Sequence, residues 1–432
     1  MLFSGDKMEK EILNKLLNLG ADDVIVKITD EDIEQVRFSR NRIDIAKNWQ
    51  EKSADIFVAL GKRTMFTTIK DFDNIDASLK TVMELAKKAN ENQSYYGIAK
   101  EGFEYGNIEF DKKIIDADCK DYVHAALNEI KGTSAGTVLK KHIKTRIATP
   151  YTHSDDETAS IEFSIRVFLE KEISGHRVSV ATDLKNFNPV KAASDAYELA
   201  KLYKNPKSGE RGKYDVILDP LFFGSVINYT LGSASAFSVE AGLSFFKDKI
   251  GEEVAPENFT MTDTGKGLYS RRFDDEGVAT GENKIIEKGV YKTYLHNTST
   301  AVKFKTKTTG NAGLVAPESW NFEVKAGDHS KDELFDSFTG LYLTNTWYTR
   351  FQNRMTGDFS TIPRDAIFYY ENGEVKESWK DIRVSDNMLR LYKNIEALSK
   401  ERQMVKWWYE VEEPGIAPFV LIKDVNITRS TQ

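Results

Sequence analysis

A chain of 432 residues exceeds what one ordinary hydrophobic core can organise, so two domains of roughly 200 residues each are expected. With 60 Lys and Arg against 67 Asp and Glu, the formal net charge is -7, which offers no electrostatic reason to grip a phosphate backbone and disfavours direct nucleic-acid binding. The single cysteine, Cys119, excludes an internal disulfide and any thiolate metal cluster; with an amino terminus that turns charged within six residues and has no signal-peptide core, a cytoplasmic protein is expected.

Ile12, Leu16 and Leu19 recur at helical spacing before Gly20, which predicts a first helix over 7–19. VIVKI (24–28), QVRFS, RIDIA, ADIFVAL and TMFTTI then alternate apolar with polar residues, as strands do, with a turn at Gly61-Lys62. Ile75, Leu79, Val82, Leu85 and Ala89 share one face of a predicted helix, and a second helix is predicted over 114–131. ADIFVALGKRTMFTTI, DFDNID and a helix are echoed by SIRVFLEKEISGHRVSVAT, DLKNFN and a helix over 164–202. A duplication and two generic hairpin-helix units both account for the echo, and either can pair into one sheet with helices on one side.

KNPKSGERGK (204–213) reads as a linker, dividing an amino-terminal α/β domain, 1–203, from a β-rich domain, 214–432. That second half shows strand patterns from YDVILDP to PFVLIKDVNIT, with short helices expected at 330–338 and 385–399. The fold class is therefore α+β, with a large mixed or antiparallel sheet in the second domain. From Leu221 to Val239, nineteen consecutive positions carry no Asp, Glu, Lys or Arg. Asn228, Thr230 and four serines make this run too polar for lipid, so it reads as a helix buried on all sides in a soluble protein.

Chemistry-bearing patterns are sparse. The six histidines (His124, His142, His153, His176, His296 and His329) include no pair three or four apart, as a helical zinc site needs. His296 stands out because it ends a strand beside a run of hydroxyls. No nucleophile elbow, phosphate loop or dinucleotide fingerprint occurs. The stretch WYTRFQNRMTGDFSTIPRDAIFYYENGEV (347–375) gathers Arg350, Asn353, Arg354, Asp358, Ser360, Arg364 and Asp365 among aromatics. It reads equally as a salt-bridged turn or as the wall of a groove for an extended ligand.

ADDVIVKITD, ADIFVALGKRTMFTT, GKYDVILDP, AGLSFFKDKIGEEVAPENFTMTDTG, IIEKGVYKTYLHNTSTA and MTGDFSTIPRDAIFYYENGEV, in that order, resemble the TldD/PmbA family, also called the modulator-of-DNA-gyrase family. The resemblance implies a zinc metallopeptidase fold in which TldD-type subunits carry a His-Glu-x-x-x-His helix and a late cysteine. An ungapped count places the histidines at Ile227 and Gly232 and the glutamate at Asn228, to within one register, inside the uncharged run; no cysteine follows Cys119. The chain thus resembles the TldE/PmbA branch, which keeps the fold and lacks the metal.

The resemblance implies a non-catalytic subunit of a heteromeric TldD/TldE-type metallopeptidase. Zinc would sit in a TldD-like partner and none in this chain, and unfolded peptides would be held by strand addition. A homomeric peptide-binding or scaffold protein, homodimeric in isolation, is the alternative. An independent peptidase with dispersed ligands such as His296, Asp358 and Glu240 is a third reading.

Overall fold

A computed structural model describes residues 7–429; the first six residues of the segment read above for a leader lie outside it. The helix α1 (Met8–Asn18) leads into β1 (Asp23–Ser39), β2 (Arg42–Leu60), β3 (Arg63–Ile69) and α2 (Ile75–Lys88). The same order recurs in α3 (Lys113–Asp116), α4 (Cys119–Leu127), β4 (Thr133–Ala148), β5 (His153–Glu170), β6 (Ile173–Ala181) and α5 (Pro189–Leu202). β1 pairs antiparallel with β4, so the two triplets join back to back in one sheet of order β3-β2-β1-β4-β5-β6. The shared aspartate of the echo does the same work twice: Asp71 Oδ1 accepts from the Asp73 N–H and Asp183 Oδ1 from the Lys185 N–H, tightening the turn before each helix.

Alternation along these strands sets a two-sided sheet. Val24, Val26 and Ile28 of β1 pack beneath α1 and α2, and Val36 and Phe38 beneath α4 and α5. The intervening residues, Lys27, Thr29, Glu31, Gln35 and Arg37, point to the opposite face, which turns toward the second half of the chain.

That half holds β7 (Lys207–Ser208), β8 (Gly212–Leu218), α6 (Pro220–Ala234), α7 (Ala236–Glu240), β9 (Met261–Thr264), β10 (Glu282–Glu287), β11 (Val290–Tyr291), α8 (Thr298–Lys303) and β12 (Asn321–Val324). It continues with α9 (Lys331–Phe335), β13 (Gly340–Asn353), β14 (Asp358–Glu371), β15 (Glu374–Lys380), β16 (Ile382–Asn387), α10 (Met388–Lys393), β17 (Ile395–Trp407) and β18 (Val411–Arg429). Their strands form one mixed sheet of order β11-β10-β9-β12-β18-β8-β13-β14-β15-β7, with β16 and β17 also paired to β18. The architecture is α+β, as the strand patterns imply. The stretch 204–213 is bound rather than free: β7 pairs with β15, and Gly209 lies so close to Ile382 and Trp379 that a Cβ there would meet Ile382 Cγ2 at 2.4 Å.

The uncharged run becomes α6 and α7. Asp219 caps α6 by accepting from the Leu221 N–H at 3.2 Å, and Pro220 supplies a pre-set first turn. The helix stops because Leu295 bonds across the break, its N–H to Ala234 O and its carbonyl to Ala236 N, while the Ser235 hydroxyl donates to Pro317 O. Burial is not complete: Asn228, Tyr229 and Gly232 form an open stripe, and a Cβ at Gly232 would meet nothing within 4 Å. Two other expected helices differ. The span 114–131 is broken at Ala117, where Asp118 caps α4. Of 385–399 only the six residues of α10 are helical; the rest extends into β16 and β17, whose edges β18 satisfies.

Candidate functional site

A polar cleft runs between the inner face of the six-stranded sheet and two segments of the second half, 269–275 and 406–408. Its narrow part, about 290 Å³, lies over Lys27, Asp55 and Asp156; its wide part, about 830 Å³, lies over Arg37, Glu162 and Arg166. Lys141 and Tyr269 line both parts. The Tyr269 hydroxyl donates to Glu162 Oε1 at 2.5 Å, while Lys141 Nζ stands 4.9 Å from the centre of the Tyr269 ring. Burial raises the Tyr269 phenol well above its ordinary range, and the Glu162 carboxylate adds to this, so the hydroxyl stays a donor. Opposite them, Lys406 is lowered by burial, with Lys141 adding repulsion and Glu162 opposing it.

One side of the cleft is locked by buried polar pairs. Arg166 Nε lies 2.8 Å from Asp365 Oδ1, and Asp365 also accepts from the Ser174 hydroxyl at 2.8 Å and from Asn345 Nδ2 at 3.0 Å. Burial is the largest single influence on Asp365 and works against ionisation, yet Arg166, His176 and the hydrogen bonds from Asn345 and Ser174 together hold the carboxyl below its usual range. His176 is pushed down to about 3 by burial and sits between Ser164, Asn345 and the Trp407 ring. Arg177 reaches the cap of α6, with Nη2 at 3.1 Å from Asp219 Oδ2 and 3.3 Å from the Tyr342 hydroxyl.

Beyond Lys406 the charges lead to α6. The backbone N–H of Glu413 donates to Asn228 Oδ1 at 2.9 Å. Burial, then repulsion from Glu412, Glu318 and Asp263, pushes Glu413 up to about 8. Burial likewise raises Glu318, and raises Asp263 to about 6 against hydrogen bonds from Asn311 and the Trp320 N–H. At about 8, Glu413 holds its proton at neutrality and is a hydrogen-bonding group rather than a charge.

Zinc does not fit this place. Its ligands are imidazoles, thiolates or carboxylates, and the open stripe of α6 offers Asn228, Tyr229 and Gly232, with Ile227 fully buried. Among the described residues no three His, Cys, Asp or Glu side chains come together in a metal-holding group. Cys119 is buried on α4, its thiol pushed up to about 12 by burial.

The residues singled out in 347–375 separate. Arg350 Nη1 donates to the Tyr229 hydroxyl on α6 at 3.2 Å, which ties that hairpin to the open stripe. Arg354 stands over the Phe351 ring, and Arg364 over Trp347. Asn353 and Asp358 close the hairpin tip, Asn353 accepting from the Met355 N–H and Asp358 from Thr356 and Asn387. Ser360 is buried and accepts from Arg383. His296 lies elsewhere, buried between Tyr294 and Phe304 with Nδ1 at 3.3 Å from the Thr300 hydroxyl, and burial lowers it to about 4. Glu240 pairs with Lys303, so His296, Asp358 and Glu240 do not form one group. Sequence reasoning missed Lys141, Tyr269, Lys406 and Trp407. The polar face of β4 could have pointed to Lys141, whereas Tyr269 lies on a loop and Lys406 and Trp407 on β17, where no local signal marks them.

Residues 211–429 match the family described as the PmbA/TldA metallopeptidase C-terminal domain. A metalloprotease of Methanocaldococcus jannaschii is 35% identical over 229 residues, 50% of this chain and 49% of that protein. Metalloprotease PmbA of Escherichia coli O157:H7 is 28% identical over 42% of this chain and 41% of its own. A zinc metalloprotease TldD homolog of Saccharolobus solfataricus is 26% identical over 51% and 52%. The chain spans about half the length of the curated relatives it matches. In fold it is similar to TldE from Thermococcus kodakarensis, with TM-score 0.86 and 16% identity over 97% of this chain and 99% of that one. It is also similar to a candidate modulator of DNA gyrase from Thermotoga maritima, with TM-score 0.83 and 22% identity over 97% and 100%. With half its length inside that family's domain and its fold shared along nearly the whole chain, the protein belongs to the PmbA/TldD family.

Proposed function

We propose that the chain is a non-catalytic, TldE/PmbA-like subunit of a heteromeric metallopeptidase, working in the cytoplasm beside a TldD-like partner that carries the zinc. The observation that carries this reading is the open stripe of α6. Gly232 is exposed and Asn228 and Tyr229 are half-buried, at the register where the resemblance puts a zinc-binding helix's ligands, yet none of the three ligates zinc. The cleft suits an extended peptide, because Lys141, Glu162 and Lys406 offer charge and donors, and Trp407 and Trp408 offer flat apolar surface. Peptide hydrolysis is measured for the chain alone, for a zinc-bearing TldD-type homologue alone, and for the mixture. The mixture is expected to exceed both, with a complex seen by sedimentation. No complex and no gain would remove the subunit reading and leave a homomeric peptide binder.

A further inference from the structure

The narrow end of the cleft holds polar atoms that the fold leaves unanswered. Asp156 is 9% exposed; its Oδ2 accepts from the Arg272 N–H at 2.8 Å, and its Oδ1 has no hydrogen-bond partner. The Thr158 hydroxyl, two residues along the same strand, has none either. Across the pocket, Arg271 stands over Trp320 with its guanidinium carbon 3.7 Å from the ring centre. Its Nη1 makes no hydrogen bond and stands 3.6 Å from Asp275 Oδ1, an oxygen that Lys27 already engages at 2.9 Å. A buried acceptor and a buried donor left unmade each cost about 1–3 kcal/mol, so both facing one small space is not a neutral arrangement.

From this geometry we infer that the pocket under Arg271 and Asp156 binds a small zwitterion, its ammonium on Asp156 and its carboxylate on Arg271. The volume of about 290 Å³ holds a free amino acid or a short peptide whose two charged ends both stay at this end of the cleft. The lining argues against other classes. Glu31, Asp55, Asp156 and Asp275 would repel a phosphate or a nucleic acid despite Lys27 and Lys141. An apolar ligand would strand the same polar atoms. The inference does not rest on a partner subunit, since all of these residues belong to this chain.

Calorimetric titration of the full chain separates the two sources of such a ligand. The probes are alanine, dialanine, N-acetyl-dialanine, dialanine amide and inorganic phosphate. Alanine or dialanine is expected to bind at one site; the better of the two says whether a free amino acid or a peptide is held. Blocking either end is expected to weaken dialanine at least tenfold. Asp156→Asn is expected to abolish the penalty for acetylation and Arg271→Gln the penalty for amidation, in variants that melt with the parent. If either variant unfolds, the comparison of blocked and free ligands on the parent decides alone. Absence of saturable binding by both alanine and dialanine, equal binding of blocked and free forms, or tighter binding of phosphate would each overturn the assignment.

Discussion

Asn228 Oδ1 accepts the backbone N–H of Glu413 at 2.9 Å, which fastens the uncharged helix α6 to the start of strand β18. That bond places a helix residue beside a carboxyl raised to about 8 by burial and by its acidic neighbours. The relationship makes the stability of this corner depend on pH.

In an unfolded chain Glu413 would titrate near about 4.3. Between that value and about 8 the folded state keeps a proton that the unfolded state has lost, so the group's contribution is fully present at low pH and is lost as pH rises through about 8. Glu276, raised to about 7 by burial, and Asp263, raised to about 6, act in the same direction. Glu413→Gln is expected to match the parent at pH 5 and to exceed it by about 1–3 kcal/mol at pH 8.5, allowing for water around a half-buried group. Urea unfolding at the two pH values measures this, and parallel curves for parent and variant would rule the contribution out.

Two glycines of α6 are expected to respond oppositely to alanine. At Gly224 a Cβ would meet Val405 Cγ2 at 2.9 Å and Val411 Cγ1 at 3.3 Å, so Gly224→Ala overpacks the core at a cost of about 1–3 kcal/mol. At Gly232 nothing lies within 4 Å, and the helix gains about 0.5–1 kcal/mol from the lower backbone entropy of alanine. Thermal melts of the two variants check both signs.

Ala234, fully buried at the end of α6, leaves no room for charge. Ala234→Asp is expected to cost several kcal/mol and to unfold the carboxy-terminal half. A melting temperature within about 2 °C of the parent would show that the aspartate had found water, since about 1 kcal/mol moves Tm by about 2–4 °C or less in a chain of this size.

Arg350 and Arg354 are exposed and stand over Tyr348 and Phe351, so their loss should change stability by about 0–1 kcal/mol. If they form a wall for peptide shared with a zinc-bearing partner, Arg350→Ala and Arg354→Ala in the mixed system are expected to cut hydrolysis by roughly tenfold to a hundredfold, with melting and complex formation unchanged. Full activity in both variants would leave them as surface residues that pack the hairpin.

The fold was legible where one strand face is apolar. In β2, Ala54, Ile56 and Val58 of ADIFVAL are buried at alternate positions, and in β8 the apolar run Val216, Ile217 and Leu218 is buried throughout. β4 escaped notice because its inner residues, Thr137, Lys141 and Thr145, face a polar cleft and break the apolar signal, and the middle of β1, Asp30 to Glu34, looks like a loop for the same reason. The uncharged helix was legible by composition, but its open stripe was not, since Asn228, Tyr229 and Gly232 differ little in type from buried neighbours such as Thr230 and Ser233. The meeting of Lys141, Glu162, Tyr269 and Lys406 depends on four segments far apart in the chain, which local spacing cannot reveal.

β18 is made after every other strand of its sheet, yet it lies inside, paired with β8, β12, β16 and β17. During synthesis the six-stranded sheet can close as soon as α5 has emerged, whereas the larger sheet has a gap at its centre until Val411–Arg429 arrive. Ribosome-bound chains halted before Val411 should therefore expose the unpaired edges of β8 and β12, and it is in that interval that the nascent protein most needs a chaperone.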